Sequence, residues 1–283
     1  MIKLEPKEYS KVLTLLPKEG MNTLFAEAVL MGLIQGEVLA NQQEQPTWFY
    51  VRHPCHMTLL VGDPVALPSE EELKAFLLNS ESFRKENEWM QVYPSSWNLV
   101  LEKVLGNQLI DKGPDVQYRK PLPVVENSGV TRYRRSDFIF RKDRYEEYRQ
   151  KYQSDKLRIK ETDHTYYQEL ENGVVPQLFW DSYEDFQGHG TGFTVYTTED
   201  NPASTAFAAF VIGKSLEIGI ETLEEYRGQG YAHRACSRLI EYCLEKDYEP
   251  IWGCNSGNVG SRRLALKLGF EESAWRPYYR LPV

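Results

Sequence analysis

Tyr226-Arg227-Gly228-Gln229-Gly230-Tyr231-Ala232 places two glycines, one residue apart, at the mouth of an amphipathic helix. Glycine reaches positive φ without a Cβ penalty, so such a bend can aim successive backbone N–H groups at one point. At a helix N-terminus those donors lack intrahelical acceptors and lie at the positive end of the dipole, which suits an anion. Downstream, Ala232, Ala235, Cys236, Leu239, Ile240, Cys243 and Leu244 recur at the spacing of one buried helical stripe. Upstream, Leu216 to Thr222 alternates as a half-buried strand does. Strand, bend and helix together describe a diphosphate cradle. The P-loop of nucleotide hydrolases is excluded because His233 follows Ala232, with no Gly-Lys-Ser/Thr. The dinucleotide fingerprint fails too, since His233 stands where its third glycine belongs.

A second segment adds to the first. Pro250 to Cys254 reads as a short buried strand, followed by Asn258-Val259-Gly260-Ser261-Arg262-Arg263-Leu264-Ala265-Leu266-Lys267-Leu268-Gly269-Phe270. Asn258 is placed to cap a helix, and Gly269 to end it in the left-handed conformation. Arg227, Gly230 and Ala232 fit Q/R-x-x-G-x-G/A, and the second segment fits N-x-x-S-x-x-L-Y-x-K-x-G-F with Ala265 in place of the Tyr. Together they resemble the acyl-CoA-binding core of the GNAT superfamily of N-acetyltransferases.

The remaining pattern suits that resemblance. Lys156 to Thr162 reads as a strand, Asp163 caps a helix through Leu170, and Gln177 to Phe186 reads as a second helix. Gly192 to Tyr196 and Thr205 to Val211 are β-rich runs around a hairpin connection. The order β-α-α-β-β-β-loop-α-β-α-β-β covers about Asp155 to Val283. The resemblance implies an α+β fold, with a GNAT domain of mixed, mostly antiparallel central sheet flanked by helices over residues 141–283. It implies acetyl-CoA as cosubstrate, its pyrophosphate held by the amides of Gly228, Gln229, Gly230, Tyr231 and Ala232. Arg227 either adds charge there or caps the loop. The backbone of Ile220 and Thr222 is expected to hold the pantetheine arm, with Asn258 and Ser261 facing the cofactor besides capping their helix. The Trp252-Gly253-Cys254 strand, the Ala265 variant and the long N-terminal region resemble the branch that includes the zwittermicin A resistance acetyltransferase.

The family's chemistry is direct attack of an amine on the thioester, which needs something to take the amine's proton, since a primary amine is mostly charged at pH 7. Glu217 and Glu221 lie four apart on one strand, hence on one face, and either suits that base, Glu221 ahead of Glu217; two solvent-facing carboxylates fit the same pattern. Asp181, Glu184, Asp185 and His189 form an acidic region that could cover a cationic acceptor. Ala265 removes the family's usual acid, but a thiol with a pKa of about 8.5 leaves tolerably without one. Tyr226, Tyr278 and Tyr279 are the neighbouring hydroxyls in sequence, and none is assignable. The expected acceptor is a small-molecule amine. A non-catalytic acyl-CoA-binding protein and a protein or peptide N-acetyltransferase fit the same residues.

A chain of 283 residues suits two domains. In residues 1–140, helices are expected over Lys7 to Leu16 and Asn22 to Leu39, and paired strands over Thr47 to Val51 and Met57 to Val61. A helix capped by Ser69 follows, then a strand at Glu88 to Tyr93, a helix at Ser95 to Leu105 and a strand at Tyr133 to Phe140. This α/β domain echoes half of the second one, as a degenerate GNAT-like copy lacking the phosphate loop. Gly113 to Pro123 reads as an inter-domain stretch or an internal loop. The net charge of −8 argues against general nucleic-acid binding, and the Arg- and aromatic-rich run from Arg132 to Tyr145 turns mixed at Glu146 and Glu147. No apolar run approaches the span of a bilayer and no signal-peptide core opens the chain, so a cytoplasmic protein is expected, with homo-oligomerisation left open. Cys55, Cys236, Cys243 and Cys254 show no C-x-x-C spacing and read as reduced thiols. His53-Pro54-Cys55-His56 lacks evident partner ligands, so no metal is assigned.

Overall fold

The structure, a computed structural model, describes residues 1–66, 69–113, 129–151, 157–170 and 173–283. Pro114 to Pro123, read from sequence as a loop, lies outside the described residues. Two compact units divide the chain by contact rather than by chain order. The first holds Met1–Ser136, Cys254–Val259 and Trp275–Val283; the second holds Asp137–Gly253 and Gly260–Ala274.

The first unit runs β1 (Ile2–Lys3), α1 (Ser10–Leu13), α2 (Leu24–Leu30), β2 (Glu37–Ala40), β3 (Trp48–Arg52), β4 (Met57–Gly62), α3 (Glu70–Leu77), β5 (Glu88–Tyr93), α4 (Trp97–Leu105) and β6 (Leu109–Asp111), then enters β7 (Val130–Phe140). Its helices are shorter than the apolar pattern suggests, and residues 37–40 form a strand where a continuing helix was expected. The cause is Gly32, at φ +70°. The N–H of Gly32 bonds the carbonyl of Val29 and that of Leu33 bonds Ala28, a Schellman motif that closes α2. Ser69 caps α3 as expected, its Oγ accepting from the Glu72 N–H at 2.9 Å. Trp48, Tyr50, Leu60, Leu77, Met90, Trp97 and Leu101 build the core between one face of the strands and helices α3 and α4.

The second unit runs α5 (Lys142–Lys151), β8 (Ile159–Glu161), α6 (His164–Glu169), α7 (Tyr183–His189), β9 (Gly192–Tyr196), β10 (Pro202–Ile212), β11 (Ser215–Thr222), α8 (Tyr231–Glu245), β12 (Glu249–Asn255) and α9 (Val259–Lys267), then enters β13 (Phe270–Leu281). Strands β8 to β11 pair antiparallel, and β12 joins β11 in parallel, so the sheet is mixed. Asp163 caps α6 through the Tyr166 N–H. The single helix expected over Gln177 to Phe186 is instead a 3-10 turn at Pro176–Leu178 and a separate α7. Ser182 restarts the helix by accepting from the Asp185 N–H, while the Trp180 indole turns inward to the Ala208 carbonyl at 2.8 Å. One long β13 replaces the two closing strands expected, and Gly269, at φ +84°, ends α9 as foreseen.

Helix α8 buries Ala235, Cys236, Leu239, Ile240 and Cys243. It lies over the sheet face that carries Phe193 and its cross-strand partner Ala206, with Tyr242 and Arg238 against the Phe193 ring. All four cysteines are free thiols, and burial pushes Cys243 up to about 12. Taken from β1 to β6 and from β8 to β13, the two units repeat one order, β-α-α-β-β-β-α-β-α-β.

His53 gives the first unit a pH-sensitive core. Its Nδ1 accepts from the Cys55 N–H at 3.0 Å, and burial, with a lesser push from His56, lowers its pKa to about 3. The unfolded histidine binds a proton near the ordinary 6.5, so between about pH 6.5 and 3 the unfolded chain binds more protons than the folded one. Stability therefore falls as pH drops through that window, by at most about 1.4 kcal/mol per pH unit from this group. Urea unfolding of His53→Gln at pH 7 and pH 4 is expected to show a smaller difference than the wild-type chain; an equal difference would remove His53 as the cause.

Candidate active site

The glycine bend takes the shape its sequence demands. A 3-10 turn at Glu224–Tyr226 leads into Arg227 in extended conformation, then Gly228 at φ +81° and Gly230 at φ +88°. Gly230 stands at the N-cap of α8 without a side chain to cap it. Among the described residues, the amides of Gly228, Gln229, Gly230, Tyr231 and Ala232 meet no acceptor; the first bond of the helix is from Arg234 to Gly230. Residues 227–230 are exposed. The bend is flanked by the rings of Tyr226 and Tyr231, edge to face at 5.9 Å, and tied by Gln229 Nε2 to the Glu225 carbonyl. Five open donors at the positive end of a 15-residue helix fit a diphosphate.

Beside the bend, β11 parts from β12. Parallel pairing covers Ser215↔Glu249, Leu216↔Pro250 and Glu217↔Ile251, after which β11 runs on to Thr222 without that partner. On its other edge β11 stays paired with β10 through Ser204↔Thr222. Leu223 donates to Ala203 on the β10 side, so the period-two alternation of backbone groups turns Thr222 and Ile220 toward the open edge. Ile220 presents its N–H and C=O there. Thr222 does not: its N–H bonds Glu221 Oε1 at 3.1 Å, and its carbonyl accepts from Arg227 Nε at 3.1 Å.

Of the two strand carboxylates, Glu217 is buried, cross-strand from Phe210, where Ala209 forms a bulge in β10. Glu221 sits further out, at 22% side-chain exposure, paired with Arg227 and accepting from the Val174 N–H at 3.1 Å. Between them lies Gly219, covered by the Phe207 ring. Phe179 stands 5.4 Å from Phe207 and 5.3 Å from Phe210, giving that face an aromatic wall. The strict half-buried alternation expected of this strand is therefore not seen: Leu216 to Gly219 are buried on both faces.

Other candidates are dispersed. Ser261 belongs to the second unit, and its Oγ accepts from the Trp252 indole at 3.2 Å, holding α9 to β12. Asn258, directly before α9, falls in the first unit, its N–H bonded to the Asn255 carbonyl. Ala265 is wholly buried. Tyr278 and Tyr279 are buried in the first unit, whereas Tyr226 and Tyr231 flank the bend. Asp181, Glu184 and Asp185 gather around Tyr167, whose hydroxyl burial and these acids push up to about 12, while Asp185 also closes the cap of α7. Among the described residues no His, Cys, Asp and Glu group of three or more could hold a metal. Gly173 and Val174 at Glu221, and Phe179 over the strand, carry no sequence signal; only the fold brings them in.

The first unit offers a contrast. Its corresponding strands, β4 and β5, pair in parallel over five residues, Met57↔Trp89 to Val61↔Tyr93, and do not part. Its corresponding helix, α3, is capped by its own Ser69 and opens with Glu70, Glu71 and Glu72, which repel an anion.

A model of the family described as GNAT acetyltransferase matches residues 14–279. The chain belongs to the GNAT acetyltransferase family. This GNAT protein is thereby an N-acetyltransferase by class. It is 25% identical over 270 residues to the Bacillus subtilis (strain 168) protein named uncharacterized N-acetyltransferase YdfB, covering 95% of this chain and 94% of that one. Its fold is similar to a GCN5-related N-acetyltransferase-like protein from Streptococcus suis 89/1591, with TM-score 0.69 at 19% identity, over 97% and 98% of the two chains. It is also similar to a tandem GNAT protein from the clavulanic acid biosynthesis pathway, with TM-score 0.56 at 11% identity, over 99% and 97%. Among the described residues no helix of this GNAT chain is long and apolar enough to cross a membrane.

The packing at Gly219 is testable directly. A Cβ there would lie 2.5 Å from the Phe207 ring. Gly219→Ala is expected to destabilise the chain by about 1–3 kcal/mol, seen as a lower thermal midpoint, with Phe207→Leu in the same chain restoring part of the loss. An unchanged midpoint in the single variant would show that the ring turns aside without cost.

Proposed function

We propose that the second unit binds acetyl-CoA and transfers its acetyl group to the primary amine of a small molecule. The observation that carries this reading is the conjunction of five open amides at Gly228 to Ala232 with the unpaired edge of β11 beside them. Acetyl-CoA supplies an activated acyl group as a thioester. The amides of the bend and the dipole of α8 hold its diphosphate, the dipole adding about 0.3–1 kcal/mol or more when partly buried. Ile220 offers its backbone to the pantetheine arm, and donors on this edge stabilise charge that grows on the acyl oxygen.

Glu217 is the carboxylate best placed to take the amine's proton. It shares a strand face with Gly219 and an aromatic wall of Phe207 and Phe210, surroundings that suit a small cation better than a polypeptide. With Ala265 buried at the position where the motif carries a Tyr, the departing thiol leaves without a dedicated acid. That same alanine favours the second reading, an acyl-CoA-binding protein without turnover.

Release of free thiol from acetyl-CoA, followed across a panel of small primary amines, separates the two. Acceleration by at least one amine is expected, and binding without acceleration by any would favour the second reading. Because β4 and β5 stay zipped and α3 is self-capped, titration should give one acetyl-CoA per chain; two would contradict the assignment of a single cradle.

Gly230→Val tests the bend itself. A side chain there meets nothing within 4 Å, so the core is untouched, but φ +88° costs a β-branched residue about 1–3 kcal/mol. The variant is expected to fold with a slightly lower midpoint and to lose most of its affinity for coenzyme A. Retained affinity would refute the cradle.

A further inference from the structure

We propose that Glu221 is a positioning residue, which locks together the strand end, the cofactor bend and the loop at Gly173 and Val174, and is not the base of the reaction. The inference rests on the acetyl-CoA reading for its functional meaning, although the clamp itself exists without a ligand.

Three donors converge on one carboxylate. Arg227 Nη2 and the Thr222 N–H each donate to Oε1 at 3.1 Å, and the Val174 N–H donates to Oε2 at 3.1 Å. Arg227 closes the circuit by donating its Nε to the Thr222 carbonyl at 3.1 Å. Gly173 completes the fit: at φ +85°, any Cβ it carried would stand 2.3 Å from Glu221 Oε2. The chain can approach the carboxylate this closely only with glycine there, and the approach aims the next amide at it.

Two consequences follow from this wiring. Both oxygens of Glu221 are already engaged, Oε1 by two donors and Oε2 by one, so the group is held in the scaffold rather than turned toward a substrate amine. And because Glu221 and Arg227 consume the N–H and C=O of Thr222, the open edge of β11 ends at Ile220. The clamp sets the last rung available to an extended ligand and fixes the bend relative to it. Arg227 thus acts through the strand end, leaving the phosphate grip to the main-chain amides.

The test combines calorimetric titration with coenzyme A, hydrogen exchange at Val174 in the ligand-free protein, and the pH profile of kcat for thiol release. Glu221→Gln and Arg227→Gln are each expected to weaken coenzyme A binding about tenfold, the size of one charge-assisted hydrogen bond. The double variant is expected to be no worse than the weaker single one. Glu221→Gln should raise exchange at Val174 and keep the acidic limb of the kcat profile. Arg227 is exposed, so its replacement is expected to leave the fold intact and the coupling readable should Glu221→Gln fold poorly. Loss of the acidic limb with unchanged affinity and unchanged Val174 exchange would overturn the proposal and make Glu221 the base. Failure of the wild-type protein to bind coenzyme A would sink the cofactor reading instead, while the Val174 exchange result still decides the clamp.

Discussion

The site depends on hydrogen bonds that the fold does not make. Backbone N–H and C=O groups are almost always paired when protein surrounds them, so an edge and a bend left open mark a place where a ligand can complete them. In the second unit β11 leaves β12 after three paired residues, and the helix that follows starts on two left-handed glycines with no side-chain cap. A cap would satisfy one of those amides internally and remove it from any ligand. The openness is a property of sequence at the bend and of strand geometry at the edge.

The first unit shows what the same order of elements does when those bonds are made. There the parallel pair β4 and β5 is complete over five residues, and Ser69 spends its hydroxyl on the first turn of α3, whose three glutamates stabilise the helix by facing its dipole. Its polar investment is elsewhere, in Glu88, buried and held by the Tyr50 hydroxyl at 2.6 Å and Arg84 Nε at 3.0 Å. Such a paired, hydrogen-bonded charge tolerates burial only because every partner is in place. One arrangement closes its backbone groups on themselves and the other leaves them open.

Much of this was legible in residues alone where the signal is local. The Gly228 and Gly230 bend, the α8 stripe, the Ser69 and Asp163 caps and the Gly269 stop are all set within a few residues by φ preference, side-chain reach or helical period. The structure departs from the sequence pattern where that pattern is locally ambiguous. Residues 22–39 carry enough apolar residues for one helix, yet Gly32 closes α2 and releases Glu37 to Ala40 into a strand. Gln177 to Phe186 looks helical, but the helix is interrupted at Trp180, whose indole bonds the Ala208 carbonyl in the neighbouring strand.

The sequence by itself determined the bend at Gly228 and Gly230 and the strand that carries Glu217 and Glu221, because a glycine's freedom of φ and a strand's period of two are properties of the chain's own covalent geometry. Only the tertiary structure decided what surrounds those carboxylates. Gly173 approaches Glu221 across 47 intervening residues that no local rule connects, and Phe207 lies over Gly219 because the β10–β11 pairing sets the two opposite each other. Which donors reach an oxygen is a matter of distances between segments remote in sequence, and those distances exist only once the sheet has formed.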